Sequence, residues 1–204
     1  MTVTAVKPGR KSLSALYIDD EFVCRLDTQT LAENRICTGC EIDDDELYEL
    51  MLKSDIRRAK EKALWLLSYR DHSQKELCDK LLRTYRPEAV DAAVKRMNEL
   101  SLINDEAFAR RYAAELHSKH QSPSTIRYKL TQKGIDRDLC DEIVQELDID
   151  PNEEIAALVE KKYLRNLGDE KGLRRTVAAL QRAGYRYGDI KSVLRDYIDD
   201  ESYD

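Results

Sequence analysis

The sequence predicts a mainly α protein: tandem three-helix-bundle repeats, three units in a curved elongated array, with a small N-terminal β-hairpin extension. Three observations carry that expectation. A helical unit recurs after 49 residues, where Ser73-Gln-Lys-Glu-Leu77-Cys-Asp-Lys80-Leu81 aligns without a gap on Ser122-Pro-Ser-Thr-Ile126-Arg-Tyr-Lys129-Leu130. The same offset puts Val90 on Leu139 and Val94 on Ile143. A weaker third copy carries Leu180, Gly184, Tyr185, Ile190 and Val193 at the places of Leu130, Gly134, Ile135, Leu139 and Ile143, with one residue inserted before Ile190. Composition agrees: 36% charged and 42% hydrophobic residues with only 7 Gly and 4 Pro suit a helix-rich chain with a modest core. Stacked small units offer an extended surface and enclose no large pocket.

The elements follow in order. Residues 1–54 form the N-terminal extension. Its first dozen residues are polar and basic around Pro8-Gly9 and are expected to be disordered. Leu16 and Ile18 alternate on one side of Asp19-Asp20, and Phe22, Cys24 and Leu26 on the other, which reads as a hairpin. Two strands alone are marginal, so a third is expected near Arg35-Ile36-Cys37 or a helix must cover them. Asp43 to Glu46 open a short helix whose acids suit the positive end of its dipole. Ser54 reads as the cap of a second helix carrying Ile56, Ala59, Ala63, Leu66 and Leu67.

Repeat 1 spans 55–102, repeat 2 spans 103–149, and repeat 3 with an acidic tail spans 150–204. Ser73 with Glu76 has the spacing of a capping box. Pro87, Pro123 and Pro151 sit where a first helical turn tolerates the missing donor. Asn104, Ser122, Asp136 and Asp150 are candidate caps. Gly134 and Gly184 end periodic helices, where a left-handed residue is wanted. Nine helices in three groups result. Trp65 and Tyr69, four apart beside Leu66, are assigned to the core.

Charge narrows the function. The net charge is −6, and the repeats are only slightly more basic than the ends. A dedicated nucleic-acid binder is usually far more basic. A protein partner is therefore expected first, with single- or double-stranded DNA as a second contact. No apolar run approaches the ~20 residues of a membrane span, and no secretory signal opens the chain. A cytosolic monomer with no membrane partner is expected, with its five cysteines reduced.

Few residues suggest catalysis. Cys37-Thr-Gly-Cys40 could be a redox pair or half of a zinc site, but no second pair of soft ligands accompanies it; a simple turn is the blander alternative. His117 and His120 have a spacing that could bind metal, though solvated or dipole-favoured histidines at a helix end are commoner. No phosphate-cradling glycine loop, nucleophile elbow or HExxH is present. The expectation is therefore no enzyme, no cofactor and no metal. Basic clusters carry more weight. Residues 118–135 contain no acid, and there Lys129 and Lys133 share a helix face while Arg127 points elsewhere. Together with Arg110 and Arg111, these three are the candidate partner or DNA contacts.

Four stretches in this order resemble the RecX family, regulators of the RecA recombinase. They are Ala63-Leu-Trp-Leu-Leu-Ser-Tyr-Arg-Asp-His-Ser-Gln-Lys-Glu-Leu-Cys-Asp-Lys-Leu81, Leu100-Ser-Leu-Ile-Asn-Asp-Glu-Ala-Phe-Ala-Arg-Arg-Tyr112, Ser122 to Ile135, and Arg182 to Ile190. The hairpin is similar to the extension of longer members. The resemblance implies tandem three-helix repeats forming a curved body. It also implies binding to RecA along its nucleoprotein filament, with altered filament growth, ATP turnover and strand exchange in recombination, DNA repair and the SOS response. Repeats bridging neighbouring protomers could block filament extension or hold filaments together; inhibition is the expected direction. Tyr85 stands where the first repeat often has glycine, and His120-Gln121 replaces a glycine-containing turn. The alternative is a helical DNA-binding regulator acting without RecA. A redox or metal protein built on Cys37 and Cys40 is a third reading.

Overall fold

In a computed structural model of the chain, residues 1–199 are described, so the acidic tail from Asp200 onward lies outside them. Two compact units result, Met1–Asn104 and Asp105–Asp204.

The first unit opens with a three-stranded antiparallel sheet: β1 (Val3–Pro8), β2 (Leu13–Ile18) and β3 (Glu21–Asp27), in that order. Asp19 and Asp20 turn the β2–β3 hairpin with positive φ of 48° and 67°, a conformation that short polar side chains tolerate. The third strand is not residues 35–37. It is β1, in the stretch expected to be disordered. Val3 explains this, since it is fully buried among Leu16, Ile18, Leu26 and Leu50. Its backbone is held on both sides, by Ile18 of β2 and by Cys40, whose carbonyl accepts its N–H at 2.9 Å. Val3 anchors the strand, and Val6 packs half-buried against the same core. Phe22 also departs from expectation. The register slips between Leu16↔Cys24 and Tyr17↔Phe22, and such a bulge moves a side chain to the opposite face. Phe22 is therefore exposed and meets Tyr17 edge-on at 5.8 Å.

After the short helix α1 (Thr28–Glu33), one continuous helix, α2 (Asp44–Tyr69), replaces the two that were expected. Asp43 and Glu46 form a full capping box at its start. Ser54 is no cap. It is fully buried mid-helix, and its Oγ accepts the Asp27 N–H at 2.8 Å. Asp27 in turn caps α1 through the Thr30 N–H and faces Arg57 at 3.3 Å. The helix thus serves two cores. Leu50 closes the sheet's core, while Ala59, Ala63 and Leu66 form the first wall of repeat 1.

Repeat 1 is completed by α3 (Gln74–Leu81) and α4 (Pro87–Glu99). In the second unit, repeat 2 is α5 (Asp105–Ser118), α6 (Pro123–Gln132) and α7 (Arg137–Glu146). Repeat 3 is α8 (Pro151–Leu158), α9 (Glu170–Arg182) and α10 (Tyr187–Asp199). Among the described residues, the nine helices α2 to α10 form three groups of three. Each group has its own apolar core, around Leu77 and Leu81, around Ile126 and Leu130, and around Leu180 and Ile190. A widened π turn at Val159–Tyr163 and a short 3-10 turn at Leu164–Asn166 follow α8, absorbing extra chain in the third repeat.

The repeat signals have visible causes. Ser73 and Ser122 cap α3 and α6 by accepting the N–H of Glu76 at 3.1 Å and of Thr125 at 3.2 Å. Glu76 gives its carboxylate to Arg70 at 2.6 Å. Helices α6 and α9 close identically. Gly134 and Gly184, at φ 81° and 92°, donate to Thr131 and Gln181, and the following Ile135 and Tyr185 donate to Leu130 and Leu180. This is the paired closure that a left-handed glycine permits. Repeat 1 has Tyr85 there and ends α3 differently, with Tyr85 N–H donating to Leu81 at 3.0 Å.

Candidate partner-binding surface

Helices α5 and α6 position the five predicted contact residues, all in the second unit. Their surroundings differ. Arg110 lies against three glutamates of its own repeat. It donates to Glu146 at 3.0 and 2.9 Å and to Glu142 at 3.0 Å, and it also pairs with Glu106. The bonds to Glu146 and Glu106 push its pKa up further, and Arg110 holds the Glu146 carboxyl below its usual range. This arginine staples α5 to α7. Arg111 is exposed and its Nε reaches the Ala107 carbonyl of its own helix at 3.3 Å.

Arg127 is exposed on α6 and pairs with Asp141 of α7. It also borders a groove of about 280 Å³ with Ser124, Arg186 and Asp189. Lys133 leans over the Tyr112 ring of α5 at 5.6 Å. Lys129 is half-buried, and its Nζ donates to Gln121 Oε1 at 3.1 Å.

That last contact has a counterpart. One repeat earlier, Lys80 Nζ lies 3.1 Å from His72 Nε2, and Lys80 and His72 stand 49 residues before Lys129 and Gln121. Both repeats therefore brace the turn before the capping serine with a lysine from one helical face. For His72 this requires a neutral ring. Nε2 accepts from the ammonium, so Nδ1 carries the proton and donates to the Asp71 carbonyl at 2.8 Å. Burial, first of all, pushes the His72 pKa below its ordinary 6.5. As pH falls, the unfolded chain then takes up this proton first, so the contribution of His72 is present above 6.5 and is lost on going lower. His72→Gln copies the residue of repeat 2. It should flatten the loss of stability between about pH 7 and 5, read as urea midpoints across that range. Superimposable pH profiles for variant and parent would refute this.

The histidines expected to be solvated are engaged instead. His117 Nε2 and His120 Nδ1 each donate to one oxygen of Glu154 at 2.9 Å, tying the end of α5 to the first turn of α8. Burial disfavours the charged Glu154, but the bonds from His120 and His117 win, and its carboxyl sits below the usual range. Tyr185 donates to the His120 carbonyl at 3.2 Å, and its phenol is pushed up to about 12 by burial and by Glu154. A partner 34 residues away carries no local signal in the sequence. This knot, with Ser122 N–H bonded to the Ala183 carbonyl at 3.0 Å, joins repeats 2 and 3.

Trp65 and Tyr69, expected in the core, lie on the surface. They stand outside the core at 58% and 83% exposure. The Ala59–Ala63–Leu66 stripe fills the core and turns them outward. Lys62 Nζ sits 3.8 Å from the Trp65 ring, and Tyr128 on α6 is also exposed. No group of three or more metal-ligating side chains occurs among the described residues, and none of their helices is long and apolar enough to cross a membrane.

Separate apolar cores beneath outward aromatic and basic side chains define a helical-repeat protein. Residues 59–97 match the first three-helix domain of RecX and residues 104–143 the second. The chain thus carries both RecX three-helix domains, in that order. The regulatory protein RecX of Clostridioides difficile (strain 630) is 28% identical over 193 residues, covering 93% of this chain and 91% of the relative. That of Bacillus subtilis (strain 168) is 28% identical over 208 residues, covering 98% and 78%. A crystal structure of RecX from Lactobacillus salivarius aligns with TM-score 0.56 and 26% identity, over 71% of this chain and 97% of that one. Another regulatory protein RecX aligns with TM-score 0.59 over 95% and 98%, and at 20% identity it speaks for the fold alone.

Proposed function

We propose that this chain is a non-enzymatic regulator that binds RecA and its nucleoprotein filaments and inhibits filament growth, ATP hydrolysis and strand exchange. The match to both RecX three-helix domains and to proteins named regulatory protein RecX supports the regulatory role. The observation that carries the contact surface is the outward face of α6, where Arg127 and Tyr128 stand exposed in a stretch with no acidic residue. Such a face suits the acidic surface of a protein or a phosphate backbone. Arg111 on α5 and Lys133, which leans over Tyr112 of α5, are further candidate contacts away from that face. Lys129 and Arg110 contribute through the braces they make within repeat 2, which hold that face rigid. The protein works in the cytoplasm as a monomer in this reading.

The test is single-strand-dependent ATP hydrolysis by the cognate RecA. Equimolar or lower amounts of the protein should depress it. A double reversal, Arg127→Glu with Lys133→Glu, should raise the concentration needed by roughly tenfold. Hydrolysis and strand exchange unchanged at excess protein would defeat the proposal. Sequence-preferring DNA binding with a steep salt dependence, in the absence of RecA, would favour the DNA-binding alternative.

A further inference from the structure

We propose that Cys37 and Cys40 form a reactive dithiol site that exchanges with small-molecule disulfides of the glutathione class and closes to an intrachain Cys37–Cys40 disulfide. The two Sγ atoms lie 3.2 Å apart across the Thr38-Gly39 turn. Gly39 makes that turn at φ 92° with open space around it. Strand β1 holds the turn in place. Gly39 N–H donates to the Val3 carbonyl at 2.8 Å, and Val3 N–H donates to the Cys40 carbonyl at 2.9 Å. The thiols are thus presented as a pair by a clipped backbone, and no metal-ligating third side chain joins them among the described residues.

The two sulfurs have different roles. Cys40 Sγ accepts from the Cys37 backbone N–H at 3.4 Å and from the Cys37 thiol. When protonated it can donate to the Arg35 carbonyl at 3.6 Å. Hydrogen bonds from Cys37 hold the Cys40 thiol below its ordinary value, and the same interaction raises Cys37. Cys40 is therefore the attacking sulfur and Cys37 the resolving one. Cys40 also opens on a cleft of about 350 Å³ whose lining includes Arg35, Lys53, Glu46 and Glu49. That mixed charge suits a small zwitterionic disulfide.

The exchange balances. The Cys40 thiolate attacks one sulfur of the external disulfide, forms a mixed disulfide and releases one thiolate, which takes up a proton. Cys37 loses its proton and attacks the Cys40 sulfur, releasing the second small thiol. Two cysteine thiols are oxidised and one external disulfide is reduced to two thiols. Elsewhere, burial raises the Cys24 and Cys140 thiols, and Cys140 is fully enclosed.

The test incubates the full chain with oxidised glutathione, blocks remaining thiols by alkylation, and maps products by peptide mass spectrometry. The expected product is a Cys37–Cys40 disulfide with Cys24, Cys78 and Cys140 alkylated. Cys37→Ser should trap one glutathione on Cys40, while Cys40→Ser should slow adduct formation at Cys37 by roughly tenfold. The parent chain offers an independent reading without substitution, since limited alkylation should mark Cys40 before Cys37. No intrachain disulfide at excess oxidised glutathione, adducts spread evenly over the five cysteines, or an undiminished rate at Cys37 without Cys40 would each overturn the proposal.

Discussion

Gly184→Ala is expected to destabilise the second compact unit by about 3 kcal/mol. Two effects combine. Gly184 has φ 92°, where an L side chain is strained. A Cβ there would also stand 1.9 Å from Thr125 Oγ1 and 2.5 Å from Ser122 Oγ. Those hydroxyls cannot simply move aside. Thr125 donates to the Ala183 carbonyl at 3.1 Å, and Ser122 caps α6. The new methyl would push the end of α9 off the start of α6. Gly39→Ala is the control, because it has the same φ with no atom within 4 Å of the added Cβ. It should cost only about 1 kcal/mol. Urea unfolding of both variants measures the difference. Equal losses would mean that backbone strain alone acts and that the α9–α6 junction yields freely.

Leu81→Ala and Leu130→Ala should each cost about 3–4 kcal/mol, the range for a large cavity in a closed core. Both leucines are fully buried, and they occupy the same place in consecutive repeats. Each belongs to a separate apolar cluster. Native-state hydrogen exchange should therefore respond locally. Leu81→Ala should speed exchange in α3 and α4, and Leu130→Ala in α6 and α7. Indistinguishable exchange maps for the two variants would contradict separate cores.

The repeat helices were readable because their signals are local. A capping serine, a first-turn proline and a left-handed glycine each act within about four residues, and apolar periodicity reports one buried face. The N-terminal extension was less readable. Val3 builds a strand only because the cores of β2, β3 and α2 converge on it. Ser54 looks like a cap from its neighbours, yet it serves as an acceptor for Asp27, which is distant in the chain. Trp65 shows the limit of periodicity: a wide apolar helix needs its packing partners before one knows which edge of the stripe is covered.

The candidate surface divides the same way. Its chemistry, a basic stretch without acids at 118–135, can be read from residue order. Which cations face outward cannot. Arg110 is taken by Glu142 and Glu146, more than thirty residues ahead, and Lys129 by the turn that opens its own helix.

The amino-acid order by itself determined three helical repeats, their caps and the RecX resemblance, because hydrogen bonding and burial within a helix depend on neighbours a turn or two away. Only the tertiary structure decided the added strand, the unbroken α2, the His–Glu154 knot and the partners of each arginine. Those depend on distant groups meeting, and a charge or hydroxyl carries no mark of the partner that folding will bring to it.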